Sequence, residues 1–385
     1  MAQAAARKVA EKDADHLLTL NRPVGGGFEE ADAGAFSGMP VTEPLATRAQ
    51  VDALIALVAD VLERVKAMPA PPSQPASSAA AAPVDPEAFI RAQDAHRFYH
   101  FDMMYDAFEL VRRHAKPDPA PHPDCLTNFI GVHMPTSIFP PALAGREGEV
   151  EGVPIPSNWH ADVAEFASAL RAVDTAGDTF RMLELGCGWG CWMNITGAAA
   201  RNTGRDVHVV GIEGDEGHVA SARETLVLNG FDEATSRVVH GIAGPRTGYA
   251  LFPRHERAGD EWGRKPVFDA TAADMKRLAK THTKLDVHTL ASLGDGKTFD
   301  LLHIDIQGGE FDFVESCLHD IEAKVRFMVI GTHSRTIEGQ LMDLLLEREW
   351  VLEIDRPAIY SRNAKGESVL HIDGVHSWRN PRFHA

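Results

Sequence analysis

The stretch RMLELGCGWGCWMN, residues 181–194, sets a carboxylate, Glu184, ahead of glycines at alternate positions, Gly186, Gly188 and Gly190. Glycine has no Cβ, so a ligand can rest against the main chain where a side chain would collide. A second acid, Glu213, ends VVGIEG 23 residues beyond Gly190. A carboxylate there can accept from two neighbouring hydroxyls through charge-assisted hydrogen bonds. A dinucleotide fingerprint would read G-x-G-x-x-G, with its last glycine where this chain has Cys191. The observed E-x-G-x-G-x-G fits that loop poorly. Further on, FDLLHIDIQGGEFDFV (299–314) carries Asp305 and Glu310, and VRFMVIGTHS carries His333. An imidazole, with a usual pKa of about 6.5, is the side chain best suited to take a proton from an acceptor.

Those residues need elements to hold them. From Phe180 the chain alternates strand and helix: FRMLELG, then the helix CWMNITGAAARNTG; DVHVVGIEG, then the helix EGHVASARETLVLNG; and the strand SRVVHGIAG. KLDVHTL, the strand FDLLHIDIQ, the helix GEFDFVESCLHDIEAK and the strand VRFMVIGTH follow. A helix, TIEGQLMDLLLERE, and the strands WVLEIDRP and ESVLHID close the chain. Strands joined by crossover helices predict an α/β fold, a parallel sheet covered by helices on both faces. Ligands of such sheets sit beyond the carboxyl ends of the strands, where the glycines, Glu213, Asp305 and His333 all fall.

An acid, alternate glycines and a second acid at the next strand's end resemble the S-adenosylmethionine loop of Rossmann-like methyltransferases. On that resemblance Gly186, Gly188 and Gly190 admit the methionine part of the cofactor and Glu213 takes the ribose hydroxyls. Glu184 holds either loop backbone or the cofactor's ammonium group. Ile304-Asp305-Ile306-Gln307-Gly308-Gly309-Glu310 resembles the K-I-D-x-E-G-x-E signature of the FkbM family, S-adenosylmethionine-dependent O-methyltransferases. VRFMVIGTHS resembles that family's next strand, which often ends in histidine. The resemblance covers about residues 180–360; His303 stands in place of the usual lysine and Gln307 in place of the usual glutamate.

The resemblance implies a Rossmann-like methyltransferase core, S-adenosylmethionine as cofactor, and a hydroxyl of a sugar, glycan or secondary metabolite as acceptor. His333 is then the expected general base, and Asp305 orients it or binds the substrate hydroxyl. Plainer roles compete: Asp305 as a helix cap and Glu310 as a partner of the helix dipole. Asp305, Glu310 and His333 are also donors that Mg²⁺ or Mn²⁺ accepts. Their spacing does not demand an ion, so a metal is not the favoured expectation. Residues 245–283 interrupt the alternation and read either as a lid or as a solvated loop. Arg246, Arg254, Arg257, Arg264 and Lys265 would meet an anionic group there, and Trp262 a sugar ring. The rival readings are an NAD(P)-dependent oxidoreductase and an inactive cofactor-binding scaffold.

The rest of the chain reads as support. Residues 1–85 are a tail, an amphipathic helix at 47–68 and a Pro/Ala/Ser linker; residues 86–179 are a helical and loop accessory region; residues 180–385 are the catalytic domain. The 47–68 helix repeats apolar residues at helical spacing and is the candidate surface for a homo-oligomer. A long helix is expected from near Pro86 through EAFIRAQDAHRFYHFDMMYDAFELVRRHA, a short strand at TNFIGVHM and a helix over 158–173. A formal net charge of −17 argues against nucleic acid as partner. No apolar run is long enough to span a membrane, and the N-terminus lacks the apolar core of a signal peptide. With four cysteines in no disulfide pattern, the expected location is the cytoplasm.

Overall fold

The computed structural model describes residues 98–254, 259, 262–363 and 365–383. These lie in the second of the two units into which the chain divides, Ala81–Ala385. The tail, the 47–68 helix and the linker are outside the described residues.

The expected long helix after Pro86 is replaced, in its described part, by a turn, a short strand β1 (Asp102–Met103) and a helix of one face only, Ala107–Arg113. Asp106 ends any continuity by capping that helix, its carboxylate accepting from the Glu109 N–H. TNFIGVHM supplies parts of a hairpin, β2 (Cys125–Thr127) and β3 (His133–Pro135). Its turn is held by the Asn128 side chain, which accepts from the N–H groups of Ile130 and Val132. The helix expected from residue 158 begins at Val163. Asn158 folds a turn back on His160 and Ala161, and Asp162 then caps the helix Val163–Thr175.

From Thr179 the chain follows the expected alternation closely. β4 (Thr179–Leu185) leads through the glycine loop to the helix Cys191–Asn202, and β5 (Asp206–Glu213) to the helix Glu216–Leu228. β6 (Ser236–His240) comes next. The segment after it builds its own small sheet from β7 (Ile242–Ala243), β8 (Gly248–Pro253) and β9 (His282–His288). β10 (Phe299–Ile304) precedes the helix Glu310–Lys324, and β11 (Val325–Thr332) the helix Arg335–Leu346. β12 (Val351–Arg356), the hairpin of β13 (Ile359–Arg362) and β14 (Ser368–Ile372), and β15 (Gly374–Arg379) complete the fold.

The main sheet runs β1-β12-β15-β11-β10-β4-β5-β6. β11, β10, β4, β5 and β6 are parallel, as expected. β15 corrects the all-parallel picture: it enters between β11 and β12 and is antiparallel to both. Its sequence, GVHSWR, alternates too weakly to stand out, because the strand is buried on both faces. Successive residues of the parallel strands serve opposite cores. Met182, Leu301 and Phe327 pack with the helices Val163–Thr175 and Cys191–Asn202, whereas Leu183, Leu302 and Met328 pack with Glu310–Lys324 and Arg335–Leu346. Helices therefore cover both faces, and the strand ends are left to form a crevice.

Candidate functional site

A cavity of about 1490 Å³ opens at the carboxyl ends of β4, β5 and β10. Gly186, Gly188, Glu184, Glu213 and Asp305 all line it. Gly186 has φ +72°, and a Cβ there would stand 2.1 Å from the Asp305 carbonyl oxygen. Only glycine lets the loop pass so close to the end of β10. Gly190 adopts the left-handed conformation as N-cap of the helix that follows.

The two acids of the loop are already tied to backbone. Glu184, buried at 2% exposure, accepts from the N–H groups of Trp192 at 3.3 Å and Met193 at 3.0 Å. It anchors the first turn of the helix after the glycines. Burial pushes its carboxyl up to about 7, against the opposing pull of His303 and the two helix amides. Glu213 accepts from the Gly188 N–H at 3.0 Å and the Asp215 N–H at 2.8 Å, so it joins the glycine loop to the end of β5. A carboxylate has about four lone-pair sites, which leaves roughly half of them for a ligand.

Behind Asp305 and Asp373, which line the crevice, the ends of β10 and β11 bring together a cluster with Glu310 and His333. Glu310 is fully buried; its Oε1 accepts from the Gly308 N–H at 2.7 Å and the Ile306 N–H at 3.3 Å, and meets His333 Nδ1 at 2.9 Å. His333 Nε2 lies 3.5 Å from Asp305 Oδ1 and 3.8 Å from Asp373 Oδ2. Burial alone would lower the His333 imidazole. The Glu310 hydrogen bond and the charges of Asp305, Glu310 and Asp373 outweigh it and raise it to about 9. With these neighbours the ring holds a proton near neutral pH, and must pass that proton on before it can take another. Asp305 is 40% exposed, but to a crevice walled by protein. Desolvation pushes its carboxyl up to about 6 despite His333 and His303.

The two departures from the family signature have structural partners. Gln307, at φ +59°, donates from Nε2 to Asp305 Oδ1 at 3.2 Å and so orients it. His303 is buried, stacks on Trp192 and meets Glu165 Oε1 at 3.3 Å.

Several lining residues went unrecognised in the sequence. Glu165, Trp159 and His160 come from the accessory region, and Asp373 from the turn before β15. Burial lowers His160 to about 4, and its Nδ1 lies 3.6 Å from Cys191 Sγ. A signal for Asp373 was present: His-Ile-Asp occurs at 303–305 and again at 371–373, and both aspartates flank His333. Of the basic residues in the 245–283 segment, Arg246 pairs with Asp269 at 2.9 Å. Trp262, Arg264 and Lys265 line the crevice, and Arg257 is outside the described residues. Trp262 stacks on His218 with centroids 4.0 Å apart.

Residues 176–355 match the methyltransferase FkbM domain. A relative from Jannaschia sp. (strain CCS1), bearing the name of a methyltransferase, is 45% identical over 261 residues, 67% of this chain and 93% of that protein. The chain belongs to the FkbM methyltransferase family. As an FkbM methyltransferase it depends on S-adenosylmethionine, which sets aside the oxidoreductase reading. Among solved structures, TrmK of M. capricolum in complex with S-adenosylhomocysteine is 6% identical, with a TM-score of 0.30 over 55% of this chain and 67% of that one. The human methyltransferase 10 domain containing protein is 13% identical, with a TM-score of 0.31 over 59% of this chain and 84% of that one.

Proposed function

We propose that this FkbM methyltransferase methylates a hydroxyl group of a sugar, glycan or other secondary metabolite. The observation that carries the reading is contiguity: the glycine loop and Asp305 touch across Gly186, and Asp305 begins the cluster that continues through His333. Bound S-adenosylmethionine supplies a methyl group on an already activated sulfonium. What the protein adds is alignment of the acceptor oxygen and a destination for its proton.

In this reading Gly186, Gly188 and Gly190 lie under the methionine part of the donor, Glu213 receives the ribose, and Glu184 holds the floor of the loop. Asp305 and His333 meet the acceptor hydroxyl. The crevice also offers the rings of Trp159 and Trp189, stacked at 6.3 Å, beside several carboxylates. Apolar faces next to hydrogen-bond acceptors suit a polyhydroxylated ring, and the charge of −17 does not suit a nucleic acid. Among the described residues no helix is long and apolar enough to cross a membrane. A cytoplasmic location, self-association through 47–68 and domain limits at 85 and 179 belong to the same proposal.

The test is product analysis with isotopically labelled S-adenosylmethionine and a panel of sugars, glycosides and amines. A methyl ether in the product supports the reading. Methylation confined to nitrogen or carbon contradicts it, and donor binding without turnover on any acceptor favours the scaffold.

A further inference from the structure

We infer that Asp305, Glu310 and His333 bind one divalent cation, Mg²⁺ or Mn²⁺, at the acceptor end of the crevice. One donor atom from each of the three lies within 4.8 Å of the others. Ligands at about 2.0–2.2 Å from such an ion stand no more than about 4.4 Å apart, so small side-chain adjustments close the site. The donors come from separate places: the end of β10, the first turn of the following helix and the residue after β11.

A second observation points to a ligand there. Glu310 is fully buried, yet its Oε2 has no hydrogen-bond partner, and the buried Nε2 of His333 meets only the carboxylates of Asp305 and Asp373, at 3.5 and 3.8 Å. A buried carboxylate oxygen left without a partner is costly, and a cation held by Glu310 would satisfy it. The charge balance agrees: the carboxylates of Asp305, Glu310 and Asp373 surround a single imidazole. The supports expected of a metal site are also in place. Two backbone N–H groups fix Glu310 Oε1, and Gln307 fixes Asp305 Oδ1. Oxygen donors with one imidazole select a hard or borderline ion of the Mg²⁺ and Mn²⁺ kind.

The cation would hold the acceptor oxygen beside the methyl donor and ease the loss of its proton. That role rests on the hydroxyl-acceptor reading; the binding site itself does not. The experiment is titration of the full-length protein with Mn²⁺ alone, followed by electron paramagnetic resonance and calorimetry. A single bound Mn²⁺ is expected, with Asp305→Asn and Glu310→Gln each weakening it by about tenfold or more. Circular dichroism checks the fold, and Asp305→Asn, at the more exposed position, decides if Glu310→Gln does not fold. Affinity no better than on the order of a millimolar, or unchanged affinity in Asp305→Asn, overturns the site. S-adenosylhomocysteine binding by the native protein in chelator is measured alongside. Its loss would strike at the methyl-donor reading and leave the metal result standing.

Discussion

Replacing Glu213 by glutamine changes one atom and one charge at the position assigned to the ribose. The native carboxylate accepts from Gly188 and Asp215. The amide keeps one acceptor oxygen and sets an NH₂ group against one of those N–H donors. One charged hydrogen bond to the cofactor is lost, about 1.5–3 kcal/mol, which weakens S-adenosylhomocysteine binding by roughly 10- to 150-fold. Part of any loss could come from a loosened glycine loop, because the Gly188 contact is also disturbed. The comparison that separates the two causes uses the 2′-deoxy analogue of S-adenosylhomocysteine. By calorimetry, the native enzyme should prefer the ribose form, and Glu213→Gln should lose that preference. If the variant folds and still discriminates between the two ligands as the native enzyme does, Glu213 does not contact the ribose.

His333→Ala should lower turnover by a factor on the order of 10²–10⁴ with S-adenosylhomocysteine affinity retained; an unchanged rate would remove His333 from the chemistry. Gly186→Ala forces a side chain onto the Asp305 carbonyl at 2.1 Å and into φ +72°. It should cost stability and cofactor affinity together, while Gly145→Ala, at φ +84° with open space around it, should pay only the conformational cost of about 1–2 kcal/mol and bind the cofactor normally. Equal behaviour of the two variants would deny the close contact. Glu184, raised from its usual 4.5 to about 7, binds its proton more tightly in the folded state. Its contribution to stability is therefore full below pH 4.5 and lost as pH rises through 7, by roughly 3 kcal/mol at about 1.36 kcal/mol per pH unit. Glu184→Gln imitates the protonated form, so urea unfolding should find the variant gaining on the native protein between pH 5 and pH 8. Parallel pH profiles would show that the carboxyl is not so perturbed.

The catalytic half was legible because its signals are local. Each parallel strand is a short apolar run followed by its helix, and the acids and glycines fall at the strand ends where loops must turn. Asp305 and His333 fall at the ends of strands that the family resemblance sets side by side, and the structure brings His333 against both Asp305 and Glu310. What escaped depends on pairing over long separations. β15 enters the sheet beside β11 although some forty residues divide them in sequence, and it carries Asp373 to His333. Asp106 and Asp162 cut expected helices short through single side-chain caps, which periodicity does not register. Glu165 and His160 reach the site from a segment with no motif of its own, so only packing reveals them.

The most direct test of the central claim is a crystal structure of the enzyme with S-adenosylhomocysteine bound. The account predicts the homocysteine part lying over Gly186–Gly190, with the ribose hydroxyls on Glu213 and the sulfur facing Asp305 and His333. A nucleoside lodged elsewhere in the crevice, with Glu213 still bound only to Gly188 and Asp215, would contradict it.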